Sequence, residues 1–253
     1  MKEETGAENT WCPGCGNFAI LNALKMAVND MVAEKIPREN FVIASGIGCH
    51  AKIVDYINLN TFYSIHGRVP PTLTGMKVAN PKLKLIGFSG DGDGYSEGIA
   101  HLIHSAKRNT DITMIMHNNE VFALTTGQFT ATSDKGYKGR STPFGSIEEP
   151  INPLKLMLSS GATFVARGYA GKMDHLKNLI KAAVRHKGFA LIDVLQPCVT
   201  YNNTFLEFNK KVYELKDHNK SDMNSAMKLS DEQEKIPIGI FYQIEKPTFE
   251  EQL

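Results

Sequence analysis

The chain has 253 residues, long enough for one sizeable α/β domain with a full core. An apolar share of 42% and a charged share of 22% are those of a soluble globular protein, and a net charge of +1 supplies no basic face for nucleic acid or a membrane surface. No apolar run is long enough to span a bilayer, and the polar start MKEETGAENTW lacks a signal peptide's apolar core, so a cytoplasmic protein is expected.

Residues 1–10 read as a loose lead-in. Trp11 then precedes Cys12-Pro13-Gly14-Cys15-Gly16. Asn17 is predicted to cap a helix that puts Ala19, Ile20, Ala23, Leu24, Ala27, Val28 and Met31 on one face, with Pro37 marking its exit. Phe41 to Ala44 is a strand whose carboxyl end carries Ser45-Gly46-Ile47-Gly48-Cys49-His50. Phe62 to Ile65 is another, with His66-Gly67-Arg68 at its end. A helix or loop follows from Pro70 to Ala79. The apolar run Leu85 to Phe88 suits a central parallel strand. Gly90-Asp91-Gly92-Asp93-Gly94 turns the chain, and Ser96 is predicted to cap a helix running to Lys107-Arg108. The next strand, Asp111 to Met116, leads into Asn118-Asn119. The polar segment between Gln128 and Pro153 is long for a neutral connector and is expected to be a functional or interface loop. A helix (Pro153 to Ser160), a strand (Thr163 to Arg167), a helix (Lys172 to Lys187) and a strand (Phe189 to Leu195) complete the alternation. Past Cys198 the pattern weakens, with one late strand at Ile238 to Gln243. The expected fold is α/β, a mostly parallel sheet with helices on both faces. Its expected layout is one domain over residues 1–200 and a C-terminal arm, 201–253, packed on that domain or on a partner.

In open α/β sheets ligands sit beyond the carboxyl ends of the strands. Asp91 lies just past one strand end and Asn119 just past the next. One anionic and one neutral oxygen, with a nearby carbonyl and phosphate oxygens, suit Mg²⁺ holding a diphosphate. The helix start after Gly94 adds partial positive charge. The competing reading is a glycine-rich turn without a cofactor.

Cys12 and Cys15 form a CxxC pair, and Cys49 and Cys198 lie at predicted strand ends, so all four thiols can meet at one edge of the sheet. Four thiolates suit Zn²⁺ or an iron–sulfur cluster. A thioredoxin-like pair leaves Cys49 and Cys198 without a role. Structural zinc usually draws two close pairs. Unrelated buried cysteines are the third alternative. Lys52 is placed to hold a substrate carboxylate, or is a solvated lysine. His66, Arg68 and Asp93 are further candidates, Asp93 equally as a helix-start acid.

Gly90-Asp91-Gly92, followed one helix and one strand later by Asn118-Asn119, resembles the cofactor motif of thiamine diphosphate enzymes. Leu124-Thr125-Thr126-Gly127-Gln128 resembles the ending found in one branch, the β subunits of 2-oxoacid:ferredoxin oxidoreductases, and WCPGCG, GIGCH and QPCV resemble their cluster-binding points. The resemblance implies a thiamine diphosphate-binding fold. It also implies Mg²⁺ held by Asp91, Asn119 and the main-chain oxygen of Val121, and one [4Fe–4S] cluster on Cys12, Cys15, Cys49 and Cys198. Ile47, Gly48, Cys49, His50, His66, Gly67, Gly90, Gly92, Asp93, Leu124 and Thr125 would join Asp91, Asn119 and Val121 around the cofactor. Lys52 would contact substrate, and Leu124 would limit the substrate side chain. The implied reaction is oxidative decarboxylation of a 2-oxo acid, 2-oxoglutarate or pyruvate, with CoA to acyl-CoA and CO₂, with reduction of ferredoxin. The carboxylate that activates the aminopyrimidine comes from a second domain in most thiamine enzymes and is missing here, so an α subunit in an α₂β₂ assembly is expected. Two other readings stand beside this one: a non-redox thiamine diphosphate decarboxylase or transferase subunit with a structural Cys₄ zinc site, and a non-catalytic assembly subunit, which the intact Asp91 and Asn119 oppose.

Overall fold

The structure is a computed structural model that describes residues 5–232 and 234–253; the first four residues of the expected lead-in lie outside them. Strands β1 (Phe41–Ser45), β2 (Asn60–Tyr63), β3 (Lys84–Gly90) and β4 (Thr113–Asn118) come first in the chain. A two-stranded ribbon, β5 (Val121–Phe122) and β6 (Gln128–Phe129), follows, and then β7 (Phe164–Tyr169), β8 (Ala190–Leu195), β9 (Val212–Glu214) and β10 (Ile236–Gln243). The large sheet has the order β2-β1-β3-β4-β8-β7-β10-β9. Neighbours are parallel from β2 to β7, β10 pairs antiparallel with β7, and β9 pairs parallel with β10.

Helices cover both faces because each central strand is apolar on both. Ile43, Ile86, Ile115 and Ile192 pack toward α1 (Asn17–Ala33) and α5 (Met173–Arg185). Ala44, Leu85, Met114 and Leu191, their neighbours in the chain, pack toward α2 (Val69–Ala79), α3 (Ile99–Arg108) and α4 (Pro153–Ser159). Successive side chains of a strand point to opposite faces, so a continuous apolar run fills two cores.

Several expected boundaries move. Asn17 does not cap α1: the cap position is Gly16, Asn17 lies inside the helix, and its side chain is committed to His117. Ser96 does not cap α3 either. Gly92–Glu97 forms a π-helical turn, α3 starts at Ile99 after Gly98, and the Ser96 hydroxyl accepts the N–H of Ala131. The second strand is Asn60–Tyr63, not 62–65, and Ile65 is left exposed. Past residue 200 the chain forms α6 (Phe205–Lys211), β9, α7 (Met223–Leu229) and β10; β10 extends the sheet and buries Ile238 and Phe241. No helix among the described residues is long and apolar enough to cross a membrane.

Candidate active site

The carboxyl ends of β1, β3 and β4 open onto a cleft with about 510 Å³ of empty space. Every expected cofactor residue except Gly67 lines it. Asp91, at the end of β3, is 1% exposed. Its Oδ1 accepts the N–H of Asn119 at 3.4 Å, and its Oδ2 accepts the hydroxyls of Thr130 at 2.5 Å and Thr132 at 3.1 Å. Burial pushes the Asp91 carboxyl up to about 6 despite these donors, so an adjacent cation would stabilise its charged form. Asn119, across the cleft, uses Oδ1 to accept the N–H of Val121 at 3.2 Å and Nδ2 to donate to Gln196 Oε1 at 2.9 Å. That fixes its amide orientation with the oxygen on the side of Val121. A carboxylate, an amide oxygen and a main-chain oxygen on adjacent strand ends fit a hard divalent ion. Gly92 keeps the turn after Asp91 close to this edge: a Cβ there would stand 2.3 Å from the Phe122 ring.

Asp93 is buried and joins three loops. It accepts the N–H of Gly67 at 2.9 Å, the N–H of Ile47 at 3.3 Å and the hydroxyl of Ser89. It also stands in the first turn of the Gly92–Glu97 segment, so it is a helix-start acid that at the same time ties these loops together. His50 Nε2 accepts the N–H of Gly90 at 3.1 Å and lies 3.7 Å from Asp93. Burial drives His50 down to about 4, so the ring is neutral, and an accepting Nε2 puts its proton on Nδ1. His66 is half-exposed, 3.5 Å from Asp93, and Arg68 donates to the His66 carbonyl. Leu124 is 48% exposed on the cleft wall, which excludes a core role for its side chain.

A second cleft, of about 450 Å³, adjoins the first and shares Cys49, Asn119 and Ala123 with it. Cys12, Cys15, Cys49 and Cys198 all line it, and none forms a disulfide. No three described Cys, His, Asp or Glu side chains close around a single metal-ion position. Four thiols lining one cleft have the donor set that Zn²⁺ or an iron–sulfur cluster takes. Burial pushes the Cys15 thiol up to about 11 and raises that of Cys49, where Lys52 pulls the other way. Thr200 donates to Cys12 Sγ at 3.4 Å and Gln196 to Cys15 Sγ at 3.6 Å. Lys52 lies in this second cleft, its Nζ donating to Thr10 Oγ1 at 2.7 Å.

Sequence reasoning missed several supports. Thr130 and Thr132 come from the long polar segment, where no local pattern marks a hydroxyl as a carboxylate's partner. His117 is 1% exposed. Its Nδ1 lies 2.8 Å from Asn17 Oδ1, and its Nε2 is buried without a hydrogen-bond partner against the first cleft. Asn202 donates to the Asn119 carbonyl at 3.1 Å and to Glu120 at 2.9 Å, tying the start of the C-terminal segment to the site.

Comparison with known proteins agrees with this geometry. Residues 46–194 match the thiamine pyrophosphate enzyme C-terminal TPP-binding domain, and residues 198–253 match the family that describes the C-terminal part of pyruvate ferredoxin oxidoreductase β subunits. The β subunit of 2-oxoacid:ferredoxin oxidoreductase 1 from Aeropyrum pernix is 43% identical over 96% of this chain and 80% of its own length. The 2-oxoglutarate synthase subunit KorB of Methanocaldococcus jannaschii is 36% identical over 96% of this chain and 90% of its own. The structure of the 2-oxoglutarate:ferredoxin oxidoreductase from Magnetococcus marinus, with 2-oxoglutarate, coenzyme A and succinyl-CoA bound, superposes with a TM-score of 0.94. It shares 36% identity over 99% of this chain and 86% of that one. With the diphosphate-type cleft and the four-thiol cleft side by side at one sheet edge, the chain belongs to the β subunits of the 2-oxoacid:ferredoxin oxidoreductases.

Proposed function

We propose that the chain holds thiamine diphosphate, Mg²⁺ and one [4Fe–4S] cluster, and that with an α subunit it oxidatively decarboxylates a 2-oxo acid to acyl-CoA and CO₂, passing electrons to ferredoxin in the cytoplasm. The observation that carries this reading is the contact between the two clefts: Cys49 and Asn119 each line both. When bound, the cofactor supplies the carbanion chemistry and the cluster a one-electron exit. Asp91, Asn119 Oδ1 and the Val121 carbonyl hold Mg²⁺, and Thr130 and Thr132 keep Asp91 aimed. Neutral His50 and buried Asp93 keep the strand-end loops in register. Lys52, in the second cleft three residues after the shared Cys49, supplies charge for the substrate carboxylate, and Leu124 walls the side-chain pocket. Thr200 and Gln196 donate toward the cluster thiolates.

2-Oxoglutarate and pyruvate are the substrates we infer; the 2-oxoglutarate named for the jannaschii and marinus relatives supports the first. The family's β-subunit naming supports a partner. So do Phe144 and Ile147, 97% and 87% exposed within the long segment before α4.

The test is anaerobic isolation with any partner that copurifies, followed by iron, sulfide and zinc analysis and viologen reduction with 2-oxoglutarate and pyruvate. About four iron and four sulfide per chain are expected for one cubane cluster. Zinc near one per chain without sulfide would remove the electron path and return the chain to the non-redox alternative. Turnover with neither 2-oxo acid would sink the substrate assignment.

A further inference from the structure

A third, open cavity, with about 1570 Å³ of empty space, lies across the segment 118–133 from the first cleft, and its charged residues have no part in the function above. Its floor is the sheet face at the register-paired Arg167 of β7 and Asp193 of β8, and its walls come from residues 132–135, 149–153 and 202–211. Arg167 is 9% exposed and Asp193 is 0%. The two do not form a hydrogen-bonded pair: Arg167 Nε stands 3.8 Å from Asp193 Oδ2 and is buried with no hydrogen-bond partner. Asp193 instead accepts the Tyr95 hydroxyl at 3.0 Å and the Asn118 amide at 3.2 Å. The guanidinium rests on the Phe241 ring, 5.7 Å from its centroid.

A guanidinium carries five donors in a planar fork, and burying Nε without an acceptor is costly. The fork matches a carboxylate. The walls have the opposite sign. Six carboxylates and three basic side chains line the cavity. Lys135 pairs with Glu149 and Lys211 with Glu207, and Arg167 faces Asp193 and Glu120; burial pushes the Glu120 carboxyl up to about 8, so Asp134 and Glu232 are the carboxylates left with no ion pair within 4 Å among the described residues. A simple anion would enter against this excess of negative charge. A simple cation would be repelled by the Arg167 guanidinium on the floor. We propose that the cavity binds a basic α-amino acid, its carboxylate forked on Arg167 and its ammonium and cationic side chain between Asp134 and Glu232. This assignment is independent of the thiamine and cluster chemistry.

The test is calorimetric titration of the purified enzyme, full chain with its copurifying partner, with L-lysine and with L-arginine. One site per chain is expected for at least one of them. Arg167→Met should weaken it about 10- to 100-fold, the range for hydrogen bonds to a charged group. Arg167→Lys keeps the charge but not the fork and should also weaken binding, which covers the case in which the Met variant fails to fold. Asp134→Asn, at an exposed position, should weaken binding of both probes without changing the melting temperature. Cadaverine, which lacks the carboxylate, should bind more weakly than L-lysine and be insensitive to Arg167→Lys. The proposal is overturned if neither amino acid binds, which includes a cavity covered by the partner subunit. It is also overturned if both Arg167 variants bind L-lysine like the parent, or if cadaverine matches L-lysine.

Discussion

Asp93 accepts the backbone N–H of Gly67 at 2.9 Å, and this bond ties the loop after β2 to the turn after β3. The same carboxylate takes the N–H of Ile47 from the loop after β1. Three strand ends are thereby set relative to one another before any cofactor arrives. Gly67 has φ +63 and a Cβ there would stand 2.5 Å from the Cα of Gly98, so the bond depends on a residue without a side chain. Asp93→Asn, which puts an amide NH₂ among donors, should cost about 1–3 kcal/mol, and Gly67→Ala a similar amount from strain and overlap. Urea unfolding of the two variants checks this; midpoints equal to the parent's would refute the hub role.

Removing the Asp91 carboxylate should abolish Mg²⁺-dependent thiamine diphosphate binding while the fold persists. Thr132→Val removes only a hydroxyl that bonds Asp91 and Asn118, and should weaken cofactor affinity about 10- to 100-fold, as for other partners of metal ligands. Equilibrium titration with cofactor in excess Mg²⁺ measures both. Unchanged affinity in Asp91→Ala would move the metal site elsewhere.

Cys198→Ser should lower iron and sulfide content and leave thiamine diphosphate binding near the parent value, because Cys198 lines only the second cleft. Gln196→Leu removes the donor to Cys15 Sγ, which should make the cluster harder to reduce and lower its potential. Gln196 also accepts from Asn119, so cofactor affinity should fall in the same variant. A redox titration followed by electron paramagnetic resonance separates the two effects.

The buried histidines should make stability fall in mild acid, against Asp91 and Glu120, whose raised carboxyls act in the opposite direction. Burial holds His186 below the usual histidine range, against the pull of Asp111 and Glu245, and its Nε2 lies 2.8 Å from the Thr163 hydroxyl. The unfolded chain binds this proton more readily than the folded one. The contribution is therefore complete above about pH 6.5 and is lost as pH drops below it, with a limiting slope of about 1.4 kcal/mol per pH unit. Buried His50 and His117 act in the same direction. His186→Gln should flatten the pH dependence of the urea midpoint in that window. An unaltered slope would assign the effect to the other histidines.

Phe144→Asp or Ile147→Asp should weaken association with the partner subunit without changing the melting temperature of the isolated chain, since neither side chain packs on this one. Analytical ultracentrifugation of the mixed subunits reads the outcome. Unimpaired assembly in both variants would take the long segment out of the interface.

Much of the sheet was readable because strands buried on both faces must be apolar at every position. Leu85 to Phe88 and Phe189 to Leu195 have no other stable place in a chain of this kind. The helix starts were misread for a local reason. Asn17 and Ser96 have the side chains that cap helices, but each was already engaged at long range, Asn17 with His117 and Ser96 with Ala131. A cap preference of about 1 kcal/mol does not outrank a buried polar atom that needs its partner. Past residue 200 the late strand at Ile238 to Gln243 was legible and is β10, which buries most of its positions, whereas the three-residue edge strand β9 buries none and left no pattern to read.

Sequence alone determined which atoms are available for chemistry. The order of glycines, carboxylate and amide after two adjacent strands, and four thiols at loop positions, follow from residue identity and the rule that strand ends converge. Only the tertiary structure decided how those atoms are held. The hydroxyls on Asp91, the neutral tautomer of His50, the shared wall between the two clefts and the unpartnered Nε of Arg167 depend on contacts between residues far apart in the chain. Burial and long-range hydrogen bonding set those states, and neither is encoded in any local pattern.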